Sequence, residues 1–273
     1  MKHALLTVDV ETDWGGRRKA DSVNKGIEEE LPYIMNLFRK NKVKATFFVS
    51  GNLLPKYKKN ILDIKKQGHE IASHGLNHSS LLQMTKTMFI SDIVACRDLF
   101  AKELETELLG FRAPQFRIGK EHLDAISSSG FFYDSSLVKG TLPGRYSNAS
   151  IGAEPFKIGK LIEIPVSQIP FIRIPMGLLW MNFISFPVFR LLFKMSKKPN
   201  MLVMYMHPFD LVARKSGKSG ILLSLWYRFR QKKARRTLEK TIFFLKSEGY
   251  KLTTMSDMAR LSQVQPGSQS LSS

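Results

Sequence analysis

The sequence has almost no cysteine: one residue, Cys96, in 273. That excludes an internal disulfide framework and any multi-cysteine zinc site, so a bound metal would need His and carboxylate ligands. Acidic residues are also scarce, with 23 Asp and Glu against 42 Lys and Arg, a net charge of +19. A charge this large favours anionic neighbours: a membrane surface, a nucleic acid or a phosphorylated substrate. A long, uninterrupted apolar run is missing as well. The nearest approach, Met176 to Met195, contains Asn182, Pro187, Arg190 and Lys194, and reads as interfacial or core rather than spanning. The segment before Thr7 already reads as a strand and leaves no room for a signal peptide, so the expected compartment is the cytoplasm. No internal repeat or clear linker appears. The expectation is one catalytic domain over residues 1–262 and a polar, disordered tail over 263–273.

Hydrophobic residues make up 43% of the chain and aromatics 11%, enough for a sizeable core. Short apolar runs alternate with longer amphipathic stretches, the sign of a parallel α/β fold. Strands are predicted at Ala4–Val8, Lys44–Ser50, Glu70–Ser73, Glu107–Phe111, Phe131–Tyr133, Leu161–Pro165, Met201–Met206 and Tyr250–Thr254. Helices are predicted at Gly26–Lys42, Tyr57–Gln67, Thr85–Leu104, Glu121–Ser129 and Arg235–Glu248, with Ser256 capping a short final one. Ser135–Gly159 reads as a long loop, and Ile169–Pro175 as extended around its prolines. About seven parallel strands of this kind suggest a distorted or incomplete (β/α) barrel, with its active site at the C-terminal strand ends.

Polar residues fall at those ends. Asp9, His74, Arg112, Asp134 and His207 each follow an apolar run. Any one of them has a bland reading: Arg112 as an ion-pair partner, His207 as a packed core imidazole, Asp134 as a turn or cap residue. Five together, with complementary chemistry, point to one site. His74 and His78 are spaced by one helical turn, so both imidazoles can face one ion. Asp9 and Glu11 are two apart and share a face of an extended segment. One can hold a metal while the other accepts a proton, and two His plus one carboxylate leave a coordination position open for hydrolysis. Asp13 lies close enough to contact a substrate. His69 and His122 read as structural or exposed.

The segments Thr7-Val-Asp-Val-Glu11, Ser73-His-Gly-Leu-Asn-His-Ser79, Phe111-Arg-Ala-Pro-Gln115, Tyr133-Asp-Ser-Ser136 and Tyr205-Met-His-Pro-Phe-Asp210 resemble, in order and spacing, the motifs of the polysaccharide deacetylase family (carbohydrate esterase family 4). The resemblance implies a distorted barrel and a metal-dependent amide hydrolase acting on an N-acetylated sugar or glycan. It implies Asp9 as general base and Glu11, His74 and His78 as ligands of one divalent metal, zinc above cobalt, nickel or manganese. Arg112 would orient Asp9, His207 would protonate the leaving amine, Asp134 would support that machinery, and the Gln115 backbone N–H would help hold the oxyanion. Two departures stand out. The family commonly has adjacent aspartates, where this chain has Asp9 and Glu11. Gln115 stands where an aromatic residue is common.

Nine Lys or Arg and no acid lie between Leu211 and Leu238. Apolar stretches at Leu178–Phe186 and Ile221–Tyr227 sit beside them. The basic and apolar region 176–236 is therefore expected to dock on an anionic membrane, the inner face, where a lipid-linked sugar would be the substrate. A solvated basic face is the plain alternative. A deformylase or another linear amide hydrolase fits the same residues. A nucleic-acid-binding protein would use the charge but leaves the strand-end residues unexplained, and no specific nucleic acid is expected.

Overall fold

The first strand, β1 (Lys2–Val10), is buried from Ala4 onward, as a strand covered on both faces must be. Ala4, Leu6, Val8 and Val10 join the large core beneath the helices, whereas Leu5 joins a smaller cluster inside the curl of the sheet. By the two-residue period, Thr7, Asp9 and Glu11 follow Leu5 onto the inner face. The computed structural model describes residues 1–13, 24–142, 146–148, 150–212 and 233–264.

Six more strands run parallel around β1: β2 (Thr46–Val49), β3 (Glu70–Ser73), β4 (Gly110–Phe111), β5 (Tyr133–Asp134), β9 (Leu161–Glu163) and β10 (Met201–Met206). Their order is β10-β1-β2-β3-β4-β5-β9, every neighbour parallel. The gap between β9 and β10 is bridged by the chain after β9. Ser167 N–H donates to the Val203 carbonyl at 3.1 Å, and Tyr205 N–H to that of Met176 at 3.1 Å. The expected incomplete (β/α) barrel of about seven parallel strands is the observed fold. Helices α1 (Leu31–Lys40), α2 (Leu54–Lys66), α3 (Lys86–Leu104) and α4 (Lys120–Ser128) fill the connections between strands. Two short helices, α5 (Leu178–Ile184) and α6 (Phe186–Met195), precede β10, and α7 (Ala234–Ser247) leads to β11 (Tyr250–Leu252). β11 pairs with Lys2–Ala4 of β1, on the edge that β2 occupies further along.

The last helix, α8 (Met255–Val264), closes the N-terminal mouth of the barrel. Met255 and Ala259 enter the inner cluster. The Ser256 N–H donates to Glu70 Oε2 at 3.0 Å, and the Met255 N–H to Thr46 Oγ1 at 2.8 Å. Ser256 is therefore not the expected cap. Thr254 Oγ1 accepts the Asp257 N–H at 3.2 Å, because the helix starts two residues earlier than its polar pattern suggests.

Other expectations are corrected. The stretch Ser135–Gly159 is not plain loop. It contains β6 (Gly140–Leu142) and β7 (Tyr146–Asn148), which pair antiparallel, and β8 (Phe156–Ile158), which pairs antiparallel with β9 through a turn at Gly159, φ 59°. Strands of three residues are too short to show a period. The helix expected from Gly26 opens as a π-helical segment, Gly26–Glu30, because Pro32 offers no N–H to the preceding turn. The tail expected from residue 263 starts inside α8; residues 265–273 lie outside the described residues, as do Ile221–Tyr227 and most of the basic cluster.

Candidate active site

β1 delivers Asp9 to the inner face, and β4 delivers Arg112 opposite it. Arg112 is fully buried. Its Nη1 donates to Asp9 Oδ1 and to Thr7 Oγ1, both at 2.7 Å. Its Nε and Nη2 donate to the Ser135 carbonyl at 3.0 Å and to Ser135 Oγ at 2.9 Å. The guanidinium carbon lies 4.0 Å from the Phe48 ring centre. Such a buried charge persists only because its polar hydrogens are matched, and the same bonds fix the direction of the Asp9 carboxyl group.

Beyond β1 the chain places Glu11 against both imidazoles. Glu11 Oε2 lies 3.4 Å from His74 Nε2 and in contact with His78 Nε2. One ligand atom from each residue lies within 4.8 Å of the others. His74 Nδ1 is 2.8 Å from the Arg112 carbonyl, which can only accept, so Nδ1 carries the proton and Nε2 presents a lone pair. His78 Nε2 is buried against Glu11 Oε2. Burial pushes the Glu11 carboxyl up, but the two imidazoles outweigh it and hold it well below the usual carboxylate range. Converging lone pairs with little else to bind them are the donor set of a divalent cation.

The His pair does not sit on a helix, contrary to the reading of its spacing. It spans a loop in which Gly75, φ 76°, and His78, φ 53°, are both left-handed. That turn brings His78 back to Glu11, as a helix would not need to. Asp92 on α3 fastens it, accepting the Leu76 N–H at 2.8 Å.

His207 follows β10, with Nδ1 3.4 Å from Asp210 Oδ2 and its ring stacked on Phe209 at 4.5 Å. Burial lowers its pKa, but Asp210, by charge and by hydrogen bond, with help from Glu11 and Asp9, raises it to about 9. His207 is therefore an acid at neutral pH. Asp210 is the partner that holds this charge. Gln115 lies in the turn just after Arg112 with φ 60°. Asp134 is fully buried and binds the Ser136 N–H and hydroxyl. Among the described residues no hydrogen bond links it to Asp9 or His207. Asp13 is engaged inside the protein: both its oxygens accept the Gly26 N–H at 3.1 Å. His69 and His122 are buried, accepting the N–H groups of Ala45 and Gly119.

Fold and site together define a distorted (β/α) barrel with a metal-type ligand cluster at the C-terminal ends of its strands. Residues 3–133 match the family model described as polysaccharide deacetylase. The chain is similar to that family over this segment, just under half of its length. A peptidoglycan deacetylase of Helicobacter pylori is 25% identical over 179 residues, 62% of this chain and 59% of that protein; the match thus spans about three fifths of the relative's length. A crystal structure from Mycobacterium smegmatis, described as a polysaccharide deacetylase, superposes with TM-score 0.65 at 19% identity, covering 100% of this chain and 95% of that one. A family pseudoenzyme from Bacillus anthracis superposes with TM-score 0.58 at 13% identity, covering 95% and 66%. The fold alone therefore does not establish activity; the side chains must.

Proposed function

We propose that the protein is a hydrolase that removes an N-acyl group, acetyl, from an amino sugar of a polysaccharide or lipid-linked glycan. One divalent cation, zinc before cobalt, nickel or manganese, would be held by Glu11, His74 and His78. When bound, it supplies Lewis-acid polarisation and a water of lowered pKa. The chain's own residues supply the rest. Asp9, oriented by Arg112, accepts a proton. His207, kept protonated by Asp210, returns one to the leaving nitrogen. The Gln115 N–H sits on the same loop as Arg112, where it is suited to meet a developing oxyanion. The observation that carries the reading is the convergence of three metal-type ligands beside an arginine-held carboxylate. The N-acetylated glycan fits the family and the named activity of the Helicobacter relative.

Metal analysis tests the site. Purified protein should hold about one divalent ion per chain, and His74→Ala and His78→Ala should each lose it. Asp9→Asn should keep the metal and lose acetate release by about 10²–10⁴-fold. Full activity in that variant removes Asp9 as the base, and release of formate instead of acetate selects the deformylase reading.

The same proposal places the enzyme on the cytoplasmic face of an anionic membrane. Support comes from α5 and α6, bent 97° to each other. Among the described residues no single helix is long and apolar enough to cross a membrane. Phe183, Val188, Leu191 and Met195 are exposed on this pair, and Arg190 and Lys194 are exposed between them. Apolar side chains interleaved with cations suit an interfacial helix. Each cation is worth about 1 kcal/mol at an anionic leaflet. The protein should float with anionic vesicles at physiological salt and not with neutral ones; no flotation in either case removes the membrane from the reading.

A further inference from the structure

Asp134 and Glu163 face each other in register across β5 and β9, and both are fully buried. The Asp134 oxygens accept the Ser136 N–H at 2.9 Å and the Ser136 hydroxyl at 2.8 Å. Among the described residues, Glu163 Oε1 accepts only the Leu137 N–H at 3.1 Å. Its Oε2 is buried and receives no N–H or O–H from any described residue. The group within hydrogen-bond reach of the Glu163 carboxyl is the Asp134 carboxyl. The charged group that faces both is Arg112, and its guanidinium is already committed to Asp9 and Ser135. Two ionised carboxylates cannot be held side by side in such a site; one must keep its proton.

We propose that Glu163 is carried as a neutral acid that donates its proton in a hydrogen bond to the Asp134 carboxylate, and that this pair positions the Arg112–Gln115 loop. Asp134 is the better-solvated partner, with two donors from Ser136 against one N–H for Glu163, so the charge resides on Asp134. Burial and the Asp134 charge both push the Glu163 carboxyl well above its ordinary value. The consequence reaches the site through three hydrogen bonds. Glu163 holds Asp134, Asp134 holds the Ser136 hydroxyl, and Ser136 Oγ accepts the Ala113 N–H at 2.7 Å. Ala113 lies between Arg112, which fixes Asp9, and the turn that carries the Gln115 N–H. The neighbouring Ser135 is tied in at the same point, its hydroxyl donating to the Ile164 carbonyl at 2.8 Å while it receives Arg112. Glu163 is thus a positioning residue that touches no substrate.

The shared proton stands independently of the deacetylase reading; the positioning role rests on it. The test compares the wild type with Glu163→Gln, whose amide can still donate to Asp134 and whose carbonyl can still accept from Leu137, and with Glu163→Ala. Infrared spectra at pH 8 should show the C=O stretch of a protonated carboxylic acid in the wild type, absent in Glu163→Gln. An acid whose folded pKa is raised contributes stability at pH below its unfolded value, and that contribution is lost as pH rises through the folded value. The wild type should therefore lose melting temperature with rising pH over a range where Glu163→Gln does not. With metal content equal in all three, kcat should stay within about threefold of wild type in Glu163→Gln and fall at least tenfold in Glu163→Ala, with KM changing less. If Glu163→Ala does not fold, the spectra and the melting curves of Glu163→Gln decide. A wild type without the protonated-acid band overturns the shared proton. A Gln variant as slow as the Ala variant overturns the positioning role. Absence of deacetylase activity in every form, with the band present, refutes the proposed function and leaves the proton in place.

Discussion

Asp210 sets the working range of His207. The imidazole's ordinary value is 6.5, and in the folded protein it is raised to about 9. Its protonated form therefore contributes stability that is fully present below about pH 6.5 and is lost as pH rises through 9. The alkaline limb of kcat should fall near pH 9. In Asp210→Asn the carboxylate's charge is gone, and that limb should move down by about one to two pH units, with a smaller alkaline loss of melting temperature. A limb that stays in place would show that another group is the acid. Asp9, Glu11, His74, Arg112 and His207 were legible because each ends or directly follows an apolar run. Glu163 was not. It lies inside a run, Leu161-Ile-Glu-Ile-Pro165, where nothing but its partner across β5 marks it as more than a strand residue.

Elements carry the geometry that residues alone do not. The turn Pro114–Phe116 holds Gln115 at φ 60° and Phe116 at φ 56°, a region that costs an ordinary residue roughly 1–2 kcal/mol and a β-branched one more. If only the main-chain N–H of Gln115 acts, Gln115→Gly should keep acetate release near wild type. Gln115→Val should lower the melting temperature and slow turnover by displacing that N–H. Equal activity in both variants would take the N–H out of the reaction. The helical spacing of His74 and His78 gave the right partners for the wrong reason. A loop with two left-handed residues brings them together, and Asp92, from a helix far along the chain, holds it. No local periodicity records such a contact. The β6–β7 and β8–β9 pairings were missed for a related reason, since strands of three residues take their pairing from neighbours rather than from pattern.

The whole molecule is electrically lopsided. Residues 164–238 contain fourteen Lys or Arg and a single acid, Asp210, which is buried beside His207. Most of the chain's surplus charge therefore sits in the stretch that contains α5 and α6. If this stretch meets an anionic bilayer, binding should weaken steeply as salt rises past about 0.1 M, where the screening length falls to about 10 Å. Leu191→Glu and Met195→Glu, at exposed positions, should leave the melting temperature and metal content unchanged while reducing flotation with anionic vesicles. Salt-independent binding, or binding unaffected by both changes, would place the contact elsewhere.

The sequence by itself determined the parallel α/β order, the strand ends that carry chemistry, the family pattern over its first half and the uneven charge. These are local properties, written in the period of apolar residues and in motif spacing. The tertiary structure decided what those residues do to one another: that Glu11 reaches both imidazoles, that Arg112 locks Asp9, that Asp210 charges His207 and that Glu163 faces Asp134. The physical reason is that desolvation and charge pairing act across strands brought side by side by the curl of the sheet, over separations in the chain that no periodicity spans.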